Sequence, residues 1–208
     1  MGVAERRERE KQQRKDHAVQ AAMEIYDEEG YHAITMEKIA ERAEISRAAL
    51  YLYFKNKDEI FISAINDCMD YFCTILKEVY DRRKSIKETL LEELWECFIK
   101  VYQKAPAALN AYMYFHQNEA VRNLPDDLRE LLHKEGTNVI GYHYKIMWFG
   151  VKQGIFIDCN PRTLAEVVWS SFLGIMQVER SKREITGKNH IDETCNLALA
   201  VLSRGVKK

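Results

Sequence analysis

Between Thr35 and Phe54 the chain reads TMEKIAERAEISRAALYLYF, and this stretch limits the fold more than any other. Two runs of helical periodicity, over 35–42 and 46–52, are separated by only about three residues. Helices this short owe their stability to packing. Thr35 can cap the first, with Glu37 in its opening turn, where an acid suits the positive end of the helix dipole. Met36, Ile39, Ala40 and Ala43 form its inner face, and small Ala40 lets a second helix approach closely. Ser46 can cap the second, whose inner face is Ala49, Leu50 and Tyr53, with Ile45 plugging the turn. This is the apolar pattern of a helix-turn-helix, although a generic helical hairpin shares much of it.

Charge separates the two readings. The whole chain carries a net charge of −1, so affinity for nucleic acid must come from local placement. Residues 46–57 hold three cations and no acid, and residues 1–15 hold six cations against three acids. Residues 16–29 hold five acids and no cation. The basic residues are thus sorted onto the N-terminal arm and the second helix, which suits phosphate contact. The arm could follow the DNA backbone, enter the minor groove, or stay a solvated helix end.

Elsewhere the punctuation is that of an all-α chain. Pro106, Pro125 and Asn160-Pro161 each suit a helix start, where a missing N–H costs nothing. Gly30, Gly154, Gly187 and Gly205 fall where helices should stop. Gly136, Gly141 and Gly150 lie inside a helical pattern, so that helix is expected to bend or pack closely there. The pattern predicts about nine helices: 5–29, 35–42, 46–52, 57–80, 85–104, 106–120, 125–152, 161–186 and 191–204. Helix lengths change near residue 57, which gives two expected domains, 1–56 and 57–208.

Five cysteines without a CxxC pair suit a reducing compartment. MGVAERRERE lacks the apolar core of a signal peptide, and no uncharged run reaches the roughly 18 residues of a membrane span. The expected location is the cytoplasm, without a membrane partner. No His, Cys and carboxylate set has ligand spacing on one face, so neither metal nor cofactor is expected. No Gly-rich phosphate loop, nucleophile motif or carboxylate pair suggests an enzyme.

The run Ala21-Ala22, Ile25-Tyr26, Gly30-Tyr31, Thr35, Ile39-Ala40, Ala43 to Ser46, Leu50 to Lys57 and Ile60 resembles the N-terminal DNA-binding domain of the TetR family of transcriptional regulators. The likeness covers residues 18–60 and is specific there. Beyond it only length, helical character and GIFIDCNPRTLAEV are similar. Two positions depart. Glu44 replaces the turn glycine, at about 1 kcal/mol, and its carboxylate is expected near passing phosphates. Tyr53 stands where His is usual.

The resemblance implies DNA-contacting roles. Arg47, on the same helical face as Tyr51, could read a guanine edge, meet phosphate only, or stay solvated. Ala48 allows close approach to the groove. Tyr51 resembles the family tyrosine whose hydroxyl meets the DNA backbone, and Thr35 the capping position that also meets phosphate. Lys57 stands at a helix start that itself attracts phosphate, with Asn56 and Glu59 as a capping box. Tyr53 divides between packing and phosphate contact.

In the C-terminal body, Trp95, Ile99 and Tyr102 share one helical face, as do Tyr112, Phe115 and His116. Each reads singly as core. Together, and with the resemblance, they suggest a cavity for a small lipophilic or aromatic ligand, with His116 and His143 as hydrogen-bond donors. In the family the last two helices pair in a dimer. Here Val168, Phe172, Leu173, Ile175 and Met176, with Leu197, Leu199, Val201 and Leu202, are apolar enough for a homodimer through residues 161–204. The expected function is a repressor that leaves a palindromic operator on double-stranded DNA when a small-molecule effector binds. The alternative is a ligand-independent regulator controlled by a protein partner.

Overall fold

Caps and prolines fix where the helices begin. The computed structural model describes residues 2–117 and 119–208. Among these it has nine α-helices: α1 (Val3–Glu29), α2 (Met36–Arg42), α3 (Arg47–Tyr51), α4 (Lys57–Arg82), α5 (Leu90–Lys104), α6 (Pro106–Gln117), α7 (Asp126–Lys152), α8 (Pro161–Thr186) and α9 (Ile191–Val206). Short 3-10 turns cover Tyr31–Ala33, Lys87–Thr89 and Glu119–Asn123. The described residues contain no strand, and only one isolated bridge, Phe156 to Lys207. No helix among them is long and apolar enough to cross a membrane.

The caps are made as the side chains suggest. Thr35 Oγ1 accepts from the Lys38 N–H at 3.2 Å, and Ser46 Oγ from Ala49 N–H at 3.1 Å. Asn160 Oδ1 accepts from Arg162 N–H at 2.9 Å, with Pro161 as the first helical residue. Pro125 stands one residue ahead of α7, its carbonyl accepting from Arg129 N–H at 3.0 Å. The expected capping box at α4 is made differently. Asn56 Oδ1 accepts from Glu59 N–H at 3.0 Å, but the Glu59 carboxylate reaches back to Lys55 N–H, at 2.6 Å. Gly187 ends α8 in the left-handed conformation. Gly205 is no stop: α9 passes through it to Val206.

The chain divides into two compact units. One comprises residues 1–68 and 105–134, the other residues 69–104 and 135–208. The first is centred on Ile25, Tyr26, Ile39, Leu50, Phe61, Leu109 and Phe115, all buried. The second is centred on Phe72, Leu94, Phe98, Ile146, Val168, Phe172 and Met176.

Of the three glycines inside α7, only Gly150 meets the expectation of close packing. A Cβ there would lie 2.3 Å from the ring of Phe156, which is fully buried and has little room to yield. Nothing lies within 4 Å of the same position at Gly136 or Gly141. Gly150→Ala is therefore expected to destabilise the protein by about 1–3 kcal/mol through overpacking. Gly141→Ala is expected to stabilise by roughly 0.5–1 kcal/mol. The urea midpoints of the two variants check both signs.

Candidate functional site

The geometry of α2 and α3 starts from a turn that closes by backbone alone. Ile45 N–H donates to the Ala40 carbonyl at 3.0 Å, and Glu44 N–H to the Glu41 carbonyl at 3.1 Å. This is the Schellman pattern, whose C′ residue must be left-handed. Glu44 holds that place at φ +55°, as the only non-glycine residue at positive φ among the described residues. Its side chain borders a shallow recess with His17, Gln20, Glu24 and Arg42. Met36, Ile39 and Ala40 are buried as expected, while Ala43, Ile45, Ala49 and Tyr53 are half-buried.

The turn leaves Arg47, Ala48 and Tyr51 exposed on α3, with Thr35 exposed at the α2 cap. Arg47 and Tyr51 sit together. The guanidinium lies 5.5 Å from the ring centroid, and an N–H reaches the hydroxyl at 3.5 Å, the outer limit of a hydrogen bond. Arg47 also pairs with Glu37 on α2 at 2.6 Å. Leu52, which the sequence reading passed over, is 80% exposed beside them. Its signal was helical spacing: two residues on from Leu50 is about 200° round the helix, so Leu50 goes inward and Leu52 outward.

Lys57 is placed differently from the phosphate contact expected of it. Its ammonium donates to the carbonyls of Tyr31 and Ile34, both at 3.1 Å, and lies 4.2 Å from the Tyr31 ring centroid. The Tyr31 hydroxyl donates to Asp58. Burial, then the Asp58 carboxylate, raises the Tyr31 pKa, while burial lowers that of Lys57. The acidic block of α1 is likewise engaged. Glu28 takes Arg42 in a two-pronged pair at 3.1 and 2.8 Å, and Glu29 takes Lys38 at 2.6 Å. The α2 cations are thus neutralised by α1, and the outer face of α3 keeps Arg47.

The effector candidates fall in both units. Tyr112 and His116 are in the first, their rings 4.2 Å apart. His116 also edges a recess of about 530 Å³ with Val121, Arg129, Leu132 and His133. Burial of its ring, and His133 nearby, lower its pKa. Trp95, Ile99, Tyr102 and His143 are in the second unit, where Ile99 and Tyr102 are half-buried. Phe98 links Trp95 and His143, at ring distances of 5.9 and 5.4 Å, within a cluster that includes Trp169 and Phe172. Trp95 Nε1 and His143 Nε2 are both buried without a hydrogen-bond partner. Such groups are costly to leave unpaired. No group of three or more metal-ligating side chains forms among the described residues.

Residues 18–64 match the family model described as bacterial regulatory proteins, tetR family. Over 124 residues the chain is 32% identical to the biofilm operon icaADBC HTH-type negative transcriptional regulator IcaR of Staphylococcus epidermidis. That match takes in 55% of this chain and 66% of the relative, just short of two thirds of its length. The segment 18–64 belongs to the TetR family. The TetR-family regulator PfmR of Thermus thermophilus superposes with a TM-score of 0.75 at 17% identity, over 93% of this chain and 97% of the other. SmeT, in its complex with triclosan, superposes at 0.72 with 19% identity, over 94% and 92%. At these identities the likeness speaks for the fold alone.

The last two helices differ from expectation in which face is free. Val168, Phe172 and Met176 are fully buried within the second unit, so they form core and not a dimer surface. The exposed apolar residues are Val167, Val178 and Ile185 on α8, and Leu197 and Val201 on α9. Glu179, buried at the end of α8, ties the two helices together. It accepts from Lys182 Nζ at 2.6 Å, His190 N–H at 3.0 Å and Thr194 Oγ1 at 3.2 Å.

Burial holds His143 neutral, with a pKa lowered to about 3. In the unfolded chain it takes a proton below its usual 6.5. Between about pH 6.5 and 3 the unfolded state therefore binds one proton more, and stability falls as pH falls. The slope expected from this group is at most about 1.4 kcal/mol per pH unit. Urea midpoints from pH 7 to 4 should fall more steeply for the native protein than for His143→Leu.

Proposed function

We propose that this chain is a ligand-responsive transcriptional repressor that binds a palindromic operator as a homodimer. The observation that carries the reading is the pair Arg47 and Tyr51, exposed side by side on a capped α3 inside the family-matched segment. A two-fold dimer presents two such helices to half-sites about 34–36 Å apart. Arg47 reads a guanine edge, Tyr51 gives its hydroxyl to a phosphate, and Ala48 permits close approach. Thr35 and Tyr53 flank the phosphates, and Lys57 acts by holding the turn before α2. The relative IcaR is named a negative regulator, which supports repression over activation.

The effector is a small, mainly apolar molecule that offers a hydrogen bond to Trp95 Nε1 or His143 Nε2. Ile99 and Tyr102 belong to the same helix as Trp95, and Tyr112 and His116 remain candidates in the first unit. The unpartnered Trp95 and His143 favour an effector over control by a protein partner alone, because they leave unmet polar groups that a ligand would satisfy. SmeT, seen with triclosan, shares the fold. Regulation then rests on the effector's differing affinity for the DNA-competent and DNA-incompetent states.

A mobility shift on the DNA upstream of the protein's own gene, titrated from 50 to 200 mM salt, tests the reading. Arg47→Ala is expected to weaken binding by about 10–100-fold, the equivalent of 1–3 kcal/mol. Affinity no greater than for a scrambled duplex would overturn it. Dimerisation uses the exposed apolar residues of α8 and α9. Val178→Glu combined with Leu197→Glu is expected to shift the native dimer to monomer in sedimentation equilibrium, with helicity unchanged.

A further inference from the structure

The second unit contains a recess that the regulator reading leaves unused. It measures about 160 Å³ and is lined by Tyr80, Arg83, Tyr144, Lys145, Trp148 and Phe149. Two of these six side chains are cations, four are aromatic, and none is acidic. Arg83 donates through Nη1 to the Tyr80 carbonyl at 2.6 Å, which fixes its guanidinium 3.9 Å from the Tyr80 ring centroid and 5.3 Å from that of Phe149. Lys145 holds its ammonium 4.8 Å from the Tyr142 ring and 6.0 Å from that of Tyr80. Among the described residues neither cation has an ion-pair partner, whereas the neighbouring acids Asp81 and Glu93 are taken by Lys77 and Arg82. Tyr144 and Trp148 leave 39% and 46% of their surface exposed.

We propose that this recess binds a small aromatic carboxylate. Its size suits one ring, since a cavity of about 150 Å³ holds benzene. The aromatic walls offer that ring offset or edge contacts. The guanidinium is already oriented by Tyr80, so its remaining N–H groups form a fork for a carboxylate, and Lys145 adds a second charge at the rim. Two unopposed cations in a chain of net charge −1 are a local feature that an anion answers. An inorganic anion would use the charges and not the rings; a neutral aromatic would use the rings and not the charges. An aryl carboxylate uses both. The site is distinct from Trp95 and His143, and the proposal stands whether or not the protein proves to bind DNA.

Titration calorimetry of the full chain with sodium benzoate tests it. Saturable binding at one site per chain is expected, with benzamide and inorganic phosphate each at least tenfold weaker. Arg83→Gln and Lys145→Gln should each weaken benzoate at least tenfold, whereas Trp95→Phe should stay within twofold. Lys145 lies on an exposed helix face, so its variant keeps the test valid if Arg83→Gln does not fold. No saturable binding, benzamide equal to benzoate, phosphate equal to benzoate, or unchanged affinity in both cation variants would each overturn the proposal. So would loss of binding in Trp95→Phe, which would move the ligand to the buried cluster.

Discussion

One half-buried cation holds the helix-turn-helix in place. The link between α1 and α2 turns through Tyr31–Ala33, and its carbonyls at Tyr31 and Ile34 face Lys57 at the start of α4. The ammonium gives up water for those two acceptors and for the face of Tyr31, which compensate its desolvation. Asp58, next in sequence, takes the hydroxyl of the same tyrosine. Phe61 and Phe115 pack edge-on against that ring, at 5.0 and 5.4 Å. Two consecutive residues thus grip one side chain at its base and its tip. The entry angle of α2, and with it α3, depends on that grip.

The helical frame was legible because its signals are local. Thr35, Ser46, Asn160 and the prolines act on residues two to four positions away, so their effect can be read without knowing the fold. Glu44 was legible through the resemblance, which puts a turn glycine at its position, and the structure has it left-handed. Gly205 misled because a glycine near a helix end is only a permitted stop, and α9 runs on to Val206, its C-cap Lys207 anchored by its side chain to Glu92 at 2.6 Å.

Partners far apart in sequence were not legible. Lys57 reads as a phosphate contact by position, and only the fold shows it turned to carbonyls 23 and 26 residues away. The α8 helix is apolar on more than one side, so periodicity could not tell Val168, Phe172 and Met176, which face the core, from Val167 and Val178, which do not. Trp95 and His143 were legible as candidates for a cavity, but their lack of hydrogen-bond partners is a property of the packed cluster.

If the chain binds DNA as proposed, the pairing of Arg47 with Glu37 alters what arrival at a duplex means. A solvated arginine meets phosphate by releasing mobile ions from the DNA, and binding then weakens steeply with salt. Here the guanidinium already has a tethered counter-ion, so meeting the duplex exchanges one fixed acceptor for another. The carboxylate left behind faces the polyanion without its partner, which discourages contact that gives nothing in return. A base edge with two well-aligned acceptors repays that exchange more fully than a passing phosphate does. On the proposed reading, the Arg47–Glu37 pair acts as a threshold that favours sequence over mere charge.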